Sequence, residues 1–373
     1  MKLSQFSFEL PLSRIAKEPT RWRDESKLLV LHKDTGEIEH KQFKNIIDYF
    51  GKDDLFVLND SKVFPAMLYG KKEKTGADIE VFLLRELNQE QHLWDVIVEP
   101  ARKIRIGNKL YFFGDENSPV SDGLVAEVID NTTSRGRTLR FLYDGDYQTF
   151  KDSLFRLGKM PVPKWVKMPD EVGEMDAERY QTYFAKSEGS VVAPAAGAHF
   201  SRELFNRMIL KDIRTTYLTL HLGTEPIFGV DMVDSEKEGY IINNEIEVED
   251  LSKHRMESSR LIIPQECAAM VNKTKKAGHK ILSVGMSTTY GLETYVTTNN
   301  EINEFDGWTN KYIYPPYKYA IANALVTNFH LPCSSMIIAT AAFGGYDNVM
   351  KAYKEALEGD YRFGPYGDAM LIL

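Results

Sequence analysis

The sequence predicts an α/β protein: a discontinuous three-layer α/β domain, residues 1–60 and 150–373, carrying an inserted small β-barrel domain, residues 61–149. Three observations lead there. Between Val63 and Tyr143 short apolar runs recur roughly every ten to fifteen residues with no helical period between them. After Phe150, strand-like and helix-like segments alternate, the pattern of a sheet with helices on its faces. The length, 373 residues with 43% hydrophobic side chains, suffices for two cores.

Each element has its own justification. Residues 27–33 and 37–40 flank Asp34-Thr35-Gly36, a hairpin turn whose glycine accepts positive φ. Phe43, Ile46, Ile47 and Phe50 fall on one helical face, and residues 55–58 read as a short buried strand ending at Asn59-Asp60. The barrel runs are 63–69, 79–84, 93–98, 109–113, 125–129 and 138–143, separated by turns such as Lys74-Thr75-Gly76 and Ile106-Gly107-Asn108. Residues 151–157 form a short amphipathic helix that stops before Met160-Pro161-Val162-Pro163. Beyond it, strands are expected at 190–193, 215–222, 281–284 and 324–329, in a mostly parallel sheet. Between and after them lie a helix capped by Ser201 with Glu203 in its first turn, one over 266–277 ending at Gly278, and one at 292–296 behind a Gly/Ser/Thr loop. Two more helices start near Ser334 or Ser335 and at a capping Asp347.

Composition narrows the function classes. Forty-six Lys and Arg against 54 Asp and Glu leave a net charge of -8, which alone argues mildly against a nucleic-acid partner. Cys267 and Cys333 are too few for a disulfide framework or a cysteine zinc site. No apolar signal core opens the sequence and no run is long enough to span a membrane, so a cytoplasmic protein without a membrane partner is expected. Nothing marks the oligomeric state. Local basic clusters are Lys71-Lys72, Arg135 with Arg137 and Arg140, Lys159, Lys164 and Lys167 around Trp165, and Arg202, Arg207, Lys211 and Arg214. Each suits either an RNA strand or a solvated surface.

In an open parallel sheet, ligands bind beyond the carboxyl ends of the strands. Polar residues gather at those predicted ends. His199 precedes a helix start, and His221 ends Leu218-Thr219-Leu220. Ser287, Thr288 and Thr289 follow Ser283-Val284-Gly285, and Asn328 and His330 end Leu325-Val326-Thr327. Histidines there suit proton transfer or ligation, though each alone reads equally as a loop side chain capping backbone groups. With no His-x-x-x-His or His-x-His pair, and no carboxylate at ligand spacing, no metal site is expected. The Ser/Thr stretch lacks the lysine and glycines of the phosphate-binding motifs. Glu293 is a candidate acceptor for ribose hydroxyls, or simply a first-turn partner of the helix dipole.

Several segments resemble a known family. They are Phe6-Ser7-Phe8-Glu9-Leu10-Pro11, Leu55-Phe56-Val57-Leu58-Asn59-Asp60-Ser61-Lys62-Val63-Phe64-Pro65-Ala66 and Glu178-Arg179-Tyr180-Gln181-Thr182. Val191-Val192-Ala193-Pro194-Ala195-Ala196-Gly197-Ala198-His199-Phe200 and Thr219-Leu220-His221-Leu222-Gly223 continue the series. Asn323-Ala324-Leu325-Val326-Thr327-Asn328-Phe329-His330-Leu331-Pro332 and Tyr366-Gly367-Asp368-Ala369-Met370 complete it. Together, and in this order, they resemble the S-adenosylmethionine:tRNA ribosyltransferase-isomerase family of queuosine synthesis.

The resemblance implies a fold and a reaction. The fold is an α/β domain with an inserted β-barrel. The ribosyl part of S-adenosylmethionine is transferred to the aminomethyl group of a 7-deazaguanine base at the tRNA wobble position and rearranges to an epoxycyclopentane. Adenine and methionine leave, giving epoxyqueuosine, with S-adenosylmethionine as co-substrate and no metal or redox cofactor. Proton abstraction next to a sulfonium needs a base, and expulsion of adenine needs an acid. By resemblance His199, His221 and His330 are the candidates for proton transfer, with acid and base not distinguished. Ser287, Thr288 and Asn328 are candidates for the sugar hydroxyls or the adenine edge, and Tyr314 for a ring facing the sulfonium. Asn59, Lys62, Glu293 and Asp368 complete the candidate substrate-binding set.

The family pattern also has departures here. Ala195 stands where the family usually has Thr, Tyr290 and Met67 where it has Arg, Lys62 where it has Arg, and Pro316 where it has Gly. Tyr240-Ile241-Ile242-Asn243-Asn244-Glu245 lacks both histidines of the family's His-x-x-His-x-Glu element, and Thr224-Glu225-Pro226-Ile227 replaces a Gly-rich stretch. Losing Arg loses its fork geometry or its charge. The alternative expectation is therefore a diverged paralogue that uses S-adenosylmethionine on another acceptor, or a non-catalytic binding protein on the same scaffold.

Overall fold

A computed structural model describes residues 1–113, 123–168, 170–223, 230–233 and 239–373. The chain divides into two compact units, residues 1–62 with 162–373, and residues 63–161. The larger unit opens with β1 (Lys27–His32) and β2 (Glu37–Gln42), joined by the hairpin turn at Gly36. Phe43–Tyr49 winds as a 3-10 helix that buries Phe43, Ile46 and Ile47. Then come β3 (Leu55–Asn59) and β4 (Ser61–Val63).

The smaller unit holds β5 (Met67–Lys72), β6 (Asp78–Asn88), β7 (Leu93–Glu99), β8 (Lys109–Phe112), β9 (Leu124–Asn131) and β10 (Gly136–Leu142). These six strands close into a barrel in the order β10-β7-β6-β5-β8-β9. Their two-residue period explains the closure: Val96 and Val98, Leu110 and Phe112, and Leu124, Ala126 and Val128 are buried inside. Gly70 lets β5 approach β8, since a Cβ there would stand 2.2 Å from the Tyr111 carbonyl oxygen. Helix α1 (Tyr147–Leu157) begins where Asp146 accepts the Thr149 N–H at 3.0 Å. Its Phe150 ring packs 5.5 Å from Phe141 and 4.3 Å from His92. That packing carries the unit to residue 161, past the 149 expected from periodicity alone.

The rest of the larger unit runs through α2 (Glu174–Arg179), β11 (Ser187–Ser190), α3 (Arg202–Leu210), β12 (Arg214–Leu220), β13 (Val230–Val233) and β14 (Tyr240–Asn243). It continues with β15 (Ser259–Ile263), α4 (Gln265–Lys276), β16 (Ile281–Val284), α5 (Met286–Thr294) and β17 (Phe305–Thr309). It ends with β18 (Ala324–Asn328), α6 (Ser335–Gly344), α7 (Tyr346–Glu358) and β19 (Ala369–Ile372). Nine strands form one sheet in the order β17-β15-β12-β3-β16-β18-β19-β1-β2. Its centre, β12-β3-β16-β18, is parallel, but β2, β15, β17 and the β18–β19 pair are antiparallel. The sheet is therefore mixed rather than mostly parallel.

Alternate residues build the three layers. Leu28, Val30, Phe56, Leu58, Leu282 and Val326 turn one sheet face to Phe43, Phe200, Leu204 and Met208. On the opposite face α4 and α5 pack on β12, and α7 and α6 pack together. Burial of each such side chain contributes about 1.5–3 kcal/mol. One expectation needs correction: the Gly/Ser/Thr stretch is not a loop, because α5 starts at Met286 directly after Gly285. Thr288 Oγ1 donates to the Val284 carbonyl at 2.8 Å and Thr289 Oγ1 to the Gly285 carbonyl at 3.1 Å. Hydroxyls satisfied one turn back let polar residues enter a buried helix. Likewise Asp347 lies inside the first turn of α7, and Gly345 is its N-cap.

Candidate functional site

The carboxyl ends of the parallel strands β12, β3, β16 and β18 meet at one sheet edge, where an open α/β sheet receives its ligands. A cleft there encloses about 870 Å³, counting its open mouth. Trp165, Tyr180, Val192, Phe329, Leu331 and Met336 make its walls largely apolar. The polar side chains are few: Asn243, Glu245, Ser287, Thr327, Asn328, His330 and Ser334. Gly285 lines the cleft at φ 86°, a backbone conformation that would strain any other residue.

Each polar group is held from behind. Asn328 Nδ2 donates to the Gly364 carbonyl at 3.0 Å, which turns its Oδ1 toward His199 Nε2, also at 3.0 Å. An amide oxygen only accepts, so Nε2 carries the proton, and Nδ1 accepts from Ser26 Oγ at 2.7 Å. The His199 ring stacks on Phe43 at 4.8 Å, and burial pushes its pKa down to about 4. Both nitrogens are thus engaged within the fold, and His199 lies behind the cleft rather than in its lining. Ser287 receives Asn59 Nδ2 at 3.1 Å. Asn59 also donates to the Leu220 carbonyl and accepts from the N–H groups of Leu220 and Ser61, which ties β3 to β12.

His330 and Glu245 both line the cleft, from different parts of the chain. His330 is the one predicted histidine in the lining; its Nε2 lies 2.6 Å from Thr327 Oγ1, and burial pushes its pKa down to about 3. Its backbone N–H donates to Tyr353 OH at 3.0 Å. Glu245 Oε1 accepts the Ser335 N–H at 3.0 Å, at the positive end of α6. The Glu245 N–H donates to Asn243 Oδ1 at 3.0 Å, and Asn243 Nδ2 to the Pro332 carbonyl at 3.0 Å. Burial raises the Glu245 pKa against the lowering effect of its Ser335 and Asn243 hydrogen bonds. The result is a carboxyl that protonates readily, in an apolar cleft.

The other predicted residues sit outside the lining. His221 Nδ1 lies 3.0 Å from Ser61 Oγ, with a pKa lowered by burial and by Arg260 against the pull of Asp60. Thr288 is spent on its own helix. Glu293 accepts the N–H groups of Ala320 and Ile321 and the Tyr317 hydroxyl, at 2.9–3.2 Å, so it anchors a loop rather than offering acceptors to a sugar. Asp368 accepts the N–H groups of Lys27 and Arg362, both at 2.9 Å. Tyr314 stacks on Tyr312 at 5.0 Å, and Lys62 is exposed. Among the described residues no cluster of His, Cys, Asp or Glu is placed to hold a metal ion, and no helix is long and apolar enough to cross a membrane.

Comparison with known proteins decides the family. Residues 3–372 match the family model described as queuosine biosynthesis protein. The chain belongs to the queuosine biosynthesis protein family. It is 56% identical to the S-adenosylmethionine:tRNA ribosyltransferase-isomerase of Phocaeicola vulgatus, over 100% of this chain and 99% of that one. It is 52% identical to the protein of the same name from Flavobacterium psychrophilum, over the full length of both. Among solved structures it is similar to the S-adenosylmethionine tRNA ribosyltransferase of Thermotoga maritima, with 32% identity, a TM-score of 0.53, and coverage of 99% of this chain and 100% of that one.

Within this queuosine biosynthesis protein, Glu245 is the cleft residue that reasoning from the sequence passed over. Its signal was present: it is the retained acid of the element that lost both histidines, Tyr240 to Glu245. Of the departures from the family pattern, Ala195 and Asn243 line the cleft, and Tyr290 OH donates to the Ser335 carbonyl at 3.4 Å. Pro316 is exposed, Tyr240 and Met67 are half-buried, and Thr224 to Ile227 lie outside the described residues. Most of the expected basic clusters are engaged internally. Lys71, Arg135, Arg140 and Arg214 pair with Asp78, Glu99, Glu127 and Asp53, while Arg137 and Lys211 donate to backbone carbonyls. Lys167 is buried between Asp176 and Glu18.

Proposed function

We propose that this protein is an S-adenosylmethionine:tRNA ribosyltransferase-isomerase. It transfers the ribosyl unit of S-adenosylmethionine to the 7-deazaguanine base of a tRNA, rearranges it to the epoxycyclopentane of epoxyqueuosine, and releases adenine and methionine. One observation carries this reading: end-to-end identity of 56% with a relative bearing that name. The cleft suits the substrate, with aromatic walls for a sulfonium and few polar groups. No observation favours the diverged alternative.

In this reading Glu245 takes the proton from the carbon next to the sulfonium. A carboxyl raised by burial ionises when a cation arrives beside it, so substrate binding itself prepares the base. His330, neutral at pH 7, offers a hydrogen bond to the adenosyl unit with its ring oriented by Thr327. Asn328 and Ser287 bind the sugar, and His199, Asn59 and Asp368 are positioning residues behind them. The apolar walls exclude water from the rearranging ring. Because the rearrangement is internal to the ribosyl unit, the reading calls for no cofactor beyond the co-substrate, and the enzyme works in the cytoplasm with its tRNA. The test is incubation of the purified protein with S-adenosylmethionine and tRNA carrying 7-aminomethyl-7-deazaguanine. Adenine and methionine should appear in step with epoxyqueuosine in the digested tRNA; adenine released without change in the tRNA, or no release, refutes the reading.

A further inference from the structure

The segment leading into β1 holds an exposed indole at the sheet edge that carries the cleft. Leu28 pairs with Ala369, and Ala369 with Asn328. The start of β1 is therefore level with the carboxyl end of β18 and two strands, about 10 Å, away from it. Trp22, just before β1, is 59% exposed, and the guanidinium of exposed Arg21 lies 5.5 Å from the centre of its ring. The backbone under these two side chains is clamped. Arg179 donates to the Thr20 and Arg21 carbonyls at 2.8 and 3.1 Å, and Thr20 Oγ1 to the Trp22 carbonyl at 2.6 Å. Arg23 donates to the carbonyls of Glu178, Gln181 and Ala198 at 2.8–3.2 Å, and Arg362 to that of Glu18 at 3.3 Å. These anchors are near neighbours in the chain of Tyr180, Ala196 and Gly364, which line the cleft.

A single exposed apolar side chain is ordinary, but one held rigid beside a substrate cleft is pre-organised for a contact. Charge points to the chemistry of that contact. The chain carries -8, and Lys71, Arg135, Arg140 and Arg214 are paired with acids, so phosphate contacts alone offer little hold on RNA. An indole takes the flat face of a nucleobase without needing net charge, and a guanidinium beside it adds one cation for the adjoining phosphate. We propose that Trp22 and Arg21 form a stacking platform for an unpaired nucleotide of the tRNA loop, one flanking the base held in the cleft. This rests on the functional reading above. Bases in a duplex are already stacked, so the platform also selects a single-stranded loop over a helical stem.

The test is a fluorescence-anisotropy titration of the intact protein against labelled tRNA carrying 7-aminomethyl-7-deazaguanine, at several salt concentrations. Trp22→Ala should weaken tRNA binding by about 5- to 150-fold, the range for losing one stacked base. Its salt dependence should match the wild type, because stacking releases no counterion. Trp22→Phe, which keeps a ring, should recover most of the affinity. Arg21→Gln should instead reduce the slope of log affinity against log salt by about one. Calorimetry of S-adenosylmethionine binding to the same variants should give the wild-type affinity. A Trp22→Ala protein that binds tRNA as tightly as the wild type overturns the platform alone, and so does one that loses S-adenosylmethionine affinity to the same degree. A wild type that neither binds nor modifies this tRNA overturns the ribosyltransferase reading and the platform with it.

Discussion

Replacing His199 by Phe keeps a ring stacked on Phe43 and removes both nitrogens at once. Ser26 and Asn328, 2% and 3% exposed, are then stranded. A buried polar group without its partner costs about 1–3 kcal/mol, and the serine hydroxyl can rotate to relieve part of its share, so His199→Phe should lose about 2–4 kcal/mol at pH 7.5. The pH dependence gives a second, independent signature. The unfolded histidine titrates near 6.5 and the native one near 4, so between those values the unfolded state holds the extra proton. The native contribution is therefore whole above about pH 6.5 and fades as pH falls toward 4, by about 3 kcal/mol at about 1.4 kcal/mol per pH unit. His199→Phe lacks this acid limb, so its stability curve should converge on the wild-type curve toward pH 4.5. Urea denaturation followed by tryptophan fluorescence from pH 4.5 to 8 measures both effects. A loss below 1 kcal/mol at pH 7.5, or a gap that does not narrow with acid, would refute the hydrogen-bond relay.

Other substitutions separate the site from its supports. Glu245→Gln should cut the adenine-release rate by about 10²–10⁴-fold and abolish the acid limb of the rate profile, with S-adenosylmethionine binding kept within about tenfold; an unchanged rate would rule out the base. Asp176→Ala leaves Lys167 with Glu18 alone and strands Tyr366 OH, for a loss of about 3 kcal/mol in urea, at the low end for a broken buried pair because Glu18 stays at 2.6 Å. Burial acts to raise the Asp176 pKa, but hydrogen bonds from the Gly173 N–H, Tyr366 and Lys167 hold it below the usual range. Its stabilisation is present above about pH 4 and lost below, a limb the variant should lack. Gly70→Ala presses a methyl onto the Tyr111 carbonyl and should destabilise the barrel by about 3 kcal/mol, read by hydrogen exchange of β5 and β8.

The barrel was legible because half-buried antiparallel strands print their two-residue period on the sequence, as in Val96-Ile97-Val98 and Leu110-Tyr111-Phe112. β19 was not: Ala369 to Ile372 are all buried, and a short continuous apolar run has no period to read. α5 was misread for a different reason, since Ser287, Thr288 and Thr289 have low helix propensity and enter the helix through bonds to carbonyls behind them. At the candidate site, the strand-end rule points to the edge that carries the cleft, and Ser287, Asn328 and His330 line it. It could not tell a side chain in the lining from one behind it. In the sequence His199 reads as a proton-transfer candidate and Glu293 as an acceptor for ribose hydroxyls, yet their polar atoms bond to partners more than twenty residues away.

The position of β19 between β18 and β1 has a kinetic consequence. Barrel strands pair with neighbours close in sequence, so that unit closes through short loops. The large sheet instead joins segments such as Lys27 and Asp368, 341 positions apart, and its closure carries the entropy of bringing them together. Until that happens β18 and β1 each have one edge without β19, and Asn328 lacks the Gly364 carbonyl that aims it. The cleft is therefore completed only by that long-range closure, which contact order makes a slower event than closing the barrel. While it waits, the open edges of β18 and β1 are the places where a second chain would pair.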